Sequence, residues 1–295
     1  MPLRIAVLGA GKIGSVFAFQ LARTEGHEVT VIARPGSVRL GQIERDGAIV
    51  DVGGERAGVR VAAALDEQVP YDLVIVTLLA HQADAVLPAL RRSAAGCILF
   101  MFNTFHPERL QAAVGARRCG FGMAFVQARL DADGRLGASI GVAGQRTLLG
   151  EQRWVDVFDA AGLPAALERD MPLWLRCHVP LCVALESVSV AGMRRGGGGG
   201  ASWGEALVLA RGVRAGFGLV RALGHEVHPA TKRRIAGSPV AVVAAGLWSM
   251  SRIRSFRELL ATGEAECCAL VDAMAEAAAL AEPSAVADIR AMRPS

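Results

Sequence analysis

Hydrophobic positions in the first half of the chain switch between two periods. Short apolar runs that fit strands, Ile5 to Leu8, His27 to Ala33, Tyr71 to Leu78 and Gly96 to Met101, alternate with apolar residues at helical spacing over Ser15 to Ala22, Gly36 to Asp46 and His81 to Arg92. Strand-like pieces occur around Ala48 to Val52 and Val59 to Ala62. Gly120 to Ala128 and, after the Asp133-Gly134 turn, Leu136 to Val142 read as later strands, with Glu151 to Ala161 a helix and Ala165 to Leu167 a last short strand. From Asp170 onward only helical periodicity remains, over Met171 to Ala191, Trp203 to Leu223, Pro239 to Met250 and Ala265 to Ala279. The glycine run Gly196 to Gly200 reads as a linker or flap between the first two of these helices. The pattern predicts a doubly wound α/β domain over residues 1–168 and an all-α domain over 169–295, with the active site between them.

The stretch Leu3 to Gly14, LRIAVLGAGKIG, passes from strand through a glycine turn into a helix. That context turns a GxGxxG spacing into a specific expectation of a Rossmann-type dinucleotide site. Gly9 permits the tight turn, Gly11 lets a pyrophosphate approach bare backbone, and Gly14 lets helix and strand pack closely. Ala10, Lys12 and Ile13 complete the loop, and the helix N-terminus faces the negative charge. The second strand ends at Arg34. An acidic residue there would bond the ribose hydroxyls of NAD, whereas a basic one pairs with the 2′-phosphate of NADP; Ser37 and Arg39 stand close enough in sequence to assist. The alternative is an ordinary exposed loop arginine. Parallel strands point their carboxyl ends at the ligand, so Thr77, Leu78 and Leu79 belong to the same crevice, and the next strand delivers Asn103 to it. An asparagine there can bond a carboxamide or a substrate hydroxyl, or simply serve a turn.

Composition changes this picture little. The apolar fraction of 52% is raised by alanine, and the longest uncharged run, Ile235 to Ser251, contains Gly, Pro and Ser; it reads as a buried helix rather than a membrane span. A strand and glycine loop follow Arg4 where a secretory signal would need an apolar segment, so the cytoplasm is the expected compartment. The net charge of +4 comes from arginines spread along the chain, with only 5% aromatic residues, which is not a nucleic-acid footprint. The six cysteines show neither a disulfide framework nor zinc spacing, and no metal is expected.

The motifs GAGKIG at 9–14, Arg34, TLLAHQ at 77–82, Asn103 and SFRELLATGEAE at 255–266 resemble those of the ketopantoate reductases, the NADPH-dependent 2-dehydropantoate 2-reductases. The resemblance implies a Rossmann-type domain followed by a helical substrate and dimerisation domain, a small-molecule substrate, a possible homodimer, and a cofactor, NADP(H), whose reduced form is the hydride donor. It also implies that Asn103 touches both cofactor and substrate, that Ser255 holds the substrate carboxylate and that Glu266 contacts the cofactor. Several positions depart from the pattern. Leu79 stands in place of a lysine, and where the family carries a catalytic lysine followed by two asparagines, this chain has Arg176, Pro180 and Ala184.

Arginine stays protonated and cannot act as the acid, though Arg176 can anchor a carboxylate or stabilise negative charge. His178 is the alternative proton donor by its ordinary pKa, although it lies about 200 degrees around a regular helix from Arg176. A buried or surface histidine near a Pro180 kink is the competing reading. Glu186 and Ser187 lie further along the same helix, where pairing to Arg194 or Arg195 would equally explain Glu186. The sequence therefore implies a reductase of a carbonyl or imine on a small carboxylate-bearing substrate, with ketopantoate itself disfavoured. A non-catalytic NADP sensor and an opine- or imine-type dehydrogenase are the alternatives.

Overall fold

The structure, a computed structural model, describes residues 2–195, 200–254 and 263–294. It divides into two compact units, Met1–Phe102 with Glu108–Met171, and Asn103–Pro107 with Pro172–Ser295. The chain thus enters the second unit briefly, at Asn103, well before the helices that make up most of it.

In the first unit, β1 (Arg4–Leu8), α1 (Lys12–Ala22), β2 (Glu28–Ile32), α2 (Val38–Asp46), β3 (Ala48–Val50), β4 (Arg56–Gly58), β5 (Arg60–Ala62) and β6 (Leu73–Val76) come first. Two short helices, α3 (Ala80–Ala83) and α4 (Leu87–Arg92), precede β7 (Ile98–Phe100), α5 (Pro107–Val114) and β8 (Cys119–Met123). The unit ends with β9 (Val126–Leu130), β10 (Leu136–Ile140), β11 (Thr147–Leu149), α6 (Gln152–Ala160) and β12 (Ala165–Leu167). Eight strands form one sheet in the order β12-β11-β8-β7-β6-β1-β2-β5. Its strands run parallel from β8 to β5, while β11 pairs antiparallel to β8. After β1 the chain builds outward through β2, then returns to β1's other side with β6. That reversal is the switch point at which open α/β sheets bind ligands.

The helix α1 starts where it does because Gly11, at φ −71° and ψ −170°, is still extended and caps it without a side chain. It then buries Val16, Phe17, Phe19 and Leu21 against the unit's core, each worth about 1.5–3 kcal/mol relative to exposure. Phe17 meets Phe158 of α6 edge to face at 5.2 Å.

The second unit is helical, with α7 (Met171–Arg194), α8 (Trp203–Ala222), α9 (Ala230–Gly237), α10 (Val240–Met250) and the later helices Glu264–Ala281 and Val286–Arg290. Pro180 sits inside α7. It is accommodated because Gly216 of α8 faces it: a Cβ there would stand 2.8 Å from the proline ring. One turn earlier, Gly212 makes the same room for Met292. Among the described residues, α7 alone is long and apolar enough to cross a membrane, and it is mostly buried inside the protein.

Several elements differ from their sequence patterns. The continuous apolar run Gly120 to Ala128 is two strands, β8 in the main sheet and β9 in a separate antiparallel ribbon with β10, since hydrophobicity alone does not mark a corner. His81 to Arg92 breaks into α3 and α4, with Pro88 near the start of the second helix, where its missing N–H costs nothing. The uncharged helix expected to be buried, α10, hides only Ala244 and Leu247, and Val242 is 59% exposed. The short polar helix α9 and the three-residue β11 have too little pattern to be read from sequence. Most of the glycine run, residues 196–199, lies outside the described residues.

Candidate functional site

At the end of β1 the backbone is shaped by glycine. Gly9 has φ +115°, and its N–H donates to the Ile32 carbonyl of β2 at 2.9 Å. A Cβ on Gly14 would lie 2.0 Å from the Gly9 carbonyl oxygen, so no side chain fits there. Around Gly11 there is open space, with nothing within 4 Å of an added Cβ. The turn is therefore tight against the protein and open outward. Gly11 and Lys12 are exposed, Ala10 is buried and Ile13 is half-buried. The first turn of α1 contains no acidic residue, and its cap supplies no side-chain acceptor, so its N–H groups are left for an anion.

Thr77, immediately after β6, closes the turn from the side. Its hydroxyl donates to the Gly9 carbonyl at 2.9 Å, and its N–H to the Leu8 carbonyl at 2.9 Å. Leu78 and Leu79 follow, half-buried, with the Leu79 N–H donating to Gln82 at 3.3 Å. Two residues beyond β2, Arg34 is exposed; among the described residues no ion pair or hydrogen bond engages its guanidinium or the Lys12 ammonium. Arg39, grouped with Arg34 by sequence, is tied instead to Ser15 and the Gly134 carbonyl. These features fit a dinucleotide pyrophosphate, with free cations beside a bare helix start.

The second unit gathers the other sequence-derived residues. Arg176 is buried; its Nε donates to the Phe105 carbonyl at 3.2 Å and its Nη1 to His225 Nε2 at 2.5 Å. An arginine only donates, so His225 accepts through Nε2. Arg176 thereby fastens the segment that carries Asn103, which His106 also anchors to the Ala273 carbonyl at 3.2 Å. The Asn103 Oδ1 atom is buried and has no hydrogen-bond partner among the described residues, an acceptor left unsatisfied by the protein.

His178 stacks on Trp174 with ring centroids 4.5 Å apart. Desolvation, assisted by the Lys232 ammonium, pushes its imidazole down to about 3. Burial thus favours the neutral imidazole, the weakly acidic form of this side chain. Lys232, one of only two lysines in the chain, is itself buried, donating to the Trp174 carbonyl at 2.9 Å with its Nζ 3.5 Å from the Trp174 ring centre.

Glu266 and Glu186 are both buried, and Glu186 Oε1 accepts from the Cys182 thiol at 3.7 Å. Burial, then the neighbouring Glu266, pushes Glu186 up to about 8; burial pushes Glu266 to about 7. The arginines considered for Glu186 are engaged elsewhere, Arg194 with Glu264 and Arg195 with Glu205. Ser255 lies outside the described residues. Sequence reasoning missed His225, Lys232 and the Ser15–Arg39 contact, whose partners are distant in sequence and carry no motif.

Comparison with known proteins places these features in a family. A family model described as ketopantoate reductase PanE/ApbA matches residues 5–152. The 2-dehydropantoate 2-reductase of Bacillus subtilis (strain 168) is 30% identical over 101 residues, a match covering 34% of this chain and 33% of that protein. The chain thus matches about a third of the length of that curated relative. Two solved structures share the fold over nearly the whole chain. The PanE/ApbA family ketopantoate reductase from Ralstonia eutropha JMP134 aligns with a TM-score of 0.71 at 18% identity, covering 99% of this chain and 96% of that one. D-mandelate dehydrogenase in complex with NADH aligns with a TM-score of 0.70 at 16% identity, covering 99% and 97%. With that family model matched over half of its length, this protein belongs to the ketopantoate reductase PanE/ApbA family.

Proposed function

We propose that the protein is an NADP(H)-dependent reductase acting on the carbonyl or imine of a small carboxylate-bearing substrate. The observation that carries the reading is the pairing of a bare, outward-facing helix start at Gly11 and Lys12 with the uncommitted, exposed Arg34 beyond the adjacent strand. In this reading Gly9, Ala10, Gly11, Lys12, Ile13 and Gly14 hold the pyrophosphate, and Arg34 pairs with the 2′-phosphate. Thr77 fixes the turn, with Leu78 and Leu79 flanking it. Asn103 and Glu266 serve the ribose-nicotinamide end. When bound, the reduced nicotinamide supplies the hydride.

The remaining groups belong to the substrate. The Arg176 guanidinium stabilises the oxygen that turns negative, while holding the Asn103 segment through Phe105; Ser255 binds the carboxylate. Neither Arg176 nor the neutral His178 supplies the proton at neutral pH. The similarity to a ketopantoate reductase and to a D-mandelate dehydrogenase supports 2-oxo acids as the first substrates to try.

Purified protein mixed with NADPH and a panel of 2-oxo acids, with and without amines, is expected to oxidise NADPH with at least one member, read as loss of nicotinamide absorbance. Tight NADPH binding without oxidation across the panel would contradict the reductase reading and favour a sensor.

A further inference from the structure

Arg39 differs from Arg34 in what surrounds it. Its side chain is partly buried, and its Nε and Nη2 both donate to Ser15 Oγ at 3.3 Å. Nη1 donates to the carbonyl of Gly134, in the turn between β9 and β10. An arginine has no acceptor, so Ser15 Oγ must accept from it, and the serine hydroxyl hydrogen is left to donate. It does so to the Ala10 carbonyl at 3.4 Å, and Ser15 is 1% exposed, so water does not compete for that hydrogen. The chain of donors therefore runs in one direction, from Arg39 through Ser15 to the middle residue of the glycine turn.

Two consecutive carbonyls of the turn are held in this way. Thr77 takes the Gly9 carbonyl and Ser15 takes the Ala10 carbonyl. With both tied to the protein, the N–H groups at the start of α1 are presented as a fixed set. The far anchor is also rigid. Gly134 has φ +80°, its N–H donates to the Asp131 carbonyl at 3.1 Å, and the Asp131 carboxylate accepts from the N–H groups of Asp133 at 3.0 Å and Arg135 at 2.7 Å. The ribbon of β9 and β10 packs on α1, so Arg39 joins α2, α1 and the ribbon at one point.

We propose that Arg39 is a positioning residue for the dinucleotide loop, setting the Ala10 carbonyl through Ser15, and is not a ligand of the 2′-phosphate. The proposal rests on the reading of the glycine turn as a nicotinamide dinucleotide site. A residue acting on the pyrophosphate loop affects NADPH and NADH alike, because the two cofactors share that part. A phosphate ligand affects NADPH alone.

The test is a fluorescence titration of wild type, Arg39→Met, Arg39→Lys and Ser15→Ala with NADPH and, separately, with NADH, together with the melting temperature of each apoprotein. Arg39→Met is expected to weaken both cofactors by the same factor, about tenfold, the equivalent of one lost buried hydrogen bond. Arg39→Lys keeps the charge but not the fork, and is expected to restore less than half of that loss in logarithmic terms. Ser15→Ala covers the case in which Arg39→Met fails to fold, and is expected to weaken both cofactors in parallel. Selective loss of NADPH in either Arg39 variant, full rescue by lysine, or unchanged binding in Ser15→Ala would overturn the proposal. Wild type that binds neither cofactor would instead overturn the dinucleotide reading, and the proposal with it.

Discussion

Gly14→Ala is expected to disable the glycine turn and destabilise the first unit together. The added methyl would stand 2.0 Å from the Gly9 carbonyl oxygen and 2.5 Å from Thr77 Oγ1. The first of these is backbone, so no rotamer change relieves the clash, and α1 must move away from the end of β1. Overpacking of a rigid site costs about 1–3 kcal/mol, and this contact lies at the upper end or beyond. The shift also takes the helix N-terminus away from the pyrophosphate. An anion at a helix start gains up to about 2 kcal/mol, so NADPH affinity should fall by roughly 30-fold. Gly11→Ala is the control, because its methyl would point into open space within the protein and meet only a ligand. It is expected to leave the melting temperature nearly unchanged while weakening NADPH. Denaturant unfolding and an NADPH titration of both variants check the pair; equal stability loss in both would mean that the turn is not packed as described.

The second large effect is a decline of stability with rising pH. Glu186 and Glu266 are 5% and 6% exposed, and Cys182 and Cys267 are the titratable neighbours that interact with Glu186. In the unfolded chain both carboxyls ionise near the ordinary value of 4.5, whereas in the folded protein they hold their protons to about 8 and about 7. Between those limits the native state binds more protons than the unfolded state, so in this contribution the stability is fully present below about pH 4.5. It falls as pH rises towards 8 and levels off above it. One unit of pKa difference corresponds to about 1.4 kcal/mol, which makes the expected loss between pH 5.5 and 8.5 on the order of 3 kcal/mol or more. Glu186→Gln removes the higher of the two titrations and the repulsion that ionised Glu186 exerts on Glu266. Its unfolding free energy should be close to wild type at pH 5.5 and higher than wild type at pH 8.5. Urea unfolding across that range measures both; an equal pH slope in wild type and variant would refute the buried-pair description.

What the sequence disclosed and what it hid follow from the range of the interactions. The glycine turn is local: a strand, three glycines and a helix within a dozen residues carry the signal, and Gly9 and Gly14 meet in space because they are close in sequence. The α/β order and the helical second half are likewise written in local periodicity. Arg39 could be grouped with Arg34 by proximity, but its partners lie 24 and 95 residues away and no pattern announces them. Glu186 and Glu266 are separated by eighty positions on two different helices, so their mutual effect appears only after folding. The helix α10 misled for the opposite reason. Its uncharged composition argues for burial, yet most of its surface is exposed, since apolar composition is necessary for a core helix and not sufficient. The ordinary pKa of a histidine suggests a proton donor at His178, whereas its burial beside Lys232, invisible in the sequence, pushes that pKa down.

In the proposed function, the turn after β1 and Arg34 together form an NADP(H) site. Direct titration of the wild-type protein with NADPH and NADH, repeated on Arg34→Ala, tests it most directly. The expected result is NADPH binding at least about tenfold tighter than NADH, the value of one charge-assisted contact to the 2′-phosphate, with Arg34→Ala erasing that preference and leaving NADH affinity unchanged. Equal affinity for the two cofactors, or a preference for NADPH that survives Arg34→Ala, would contradict it.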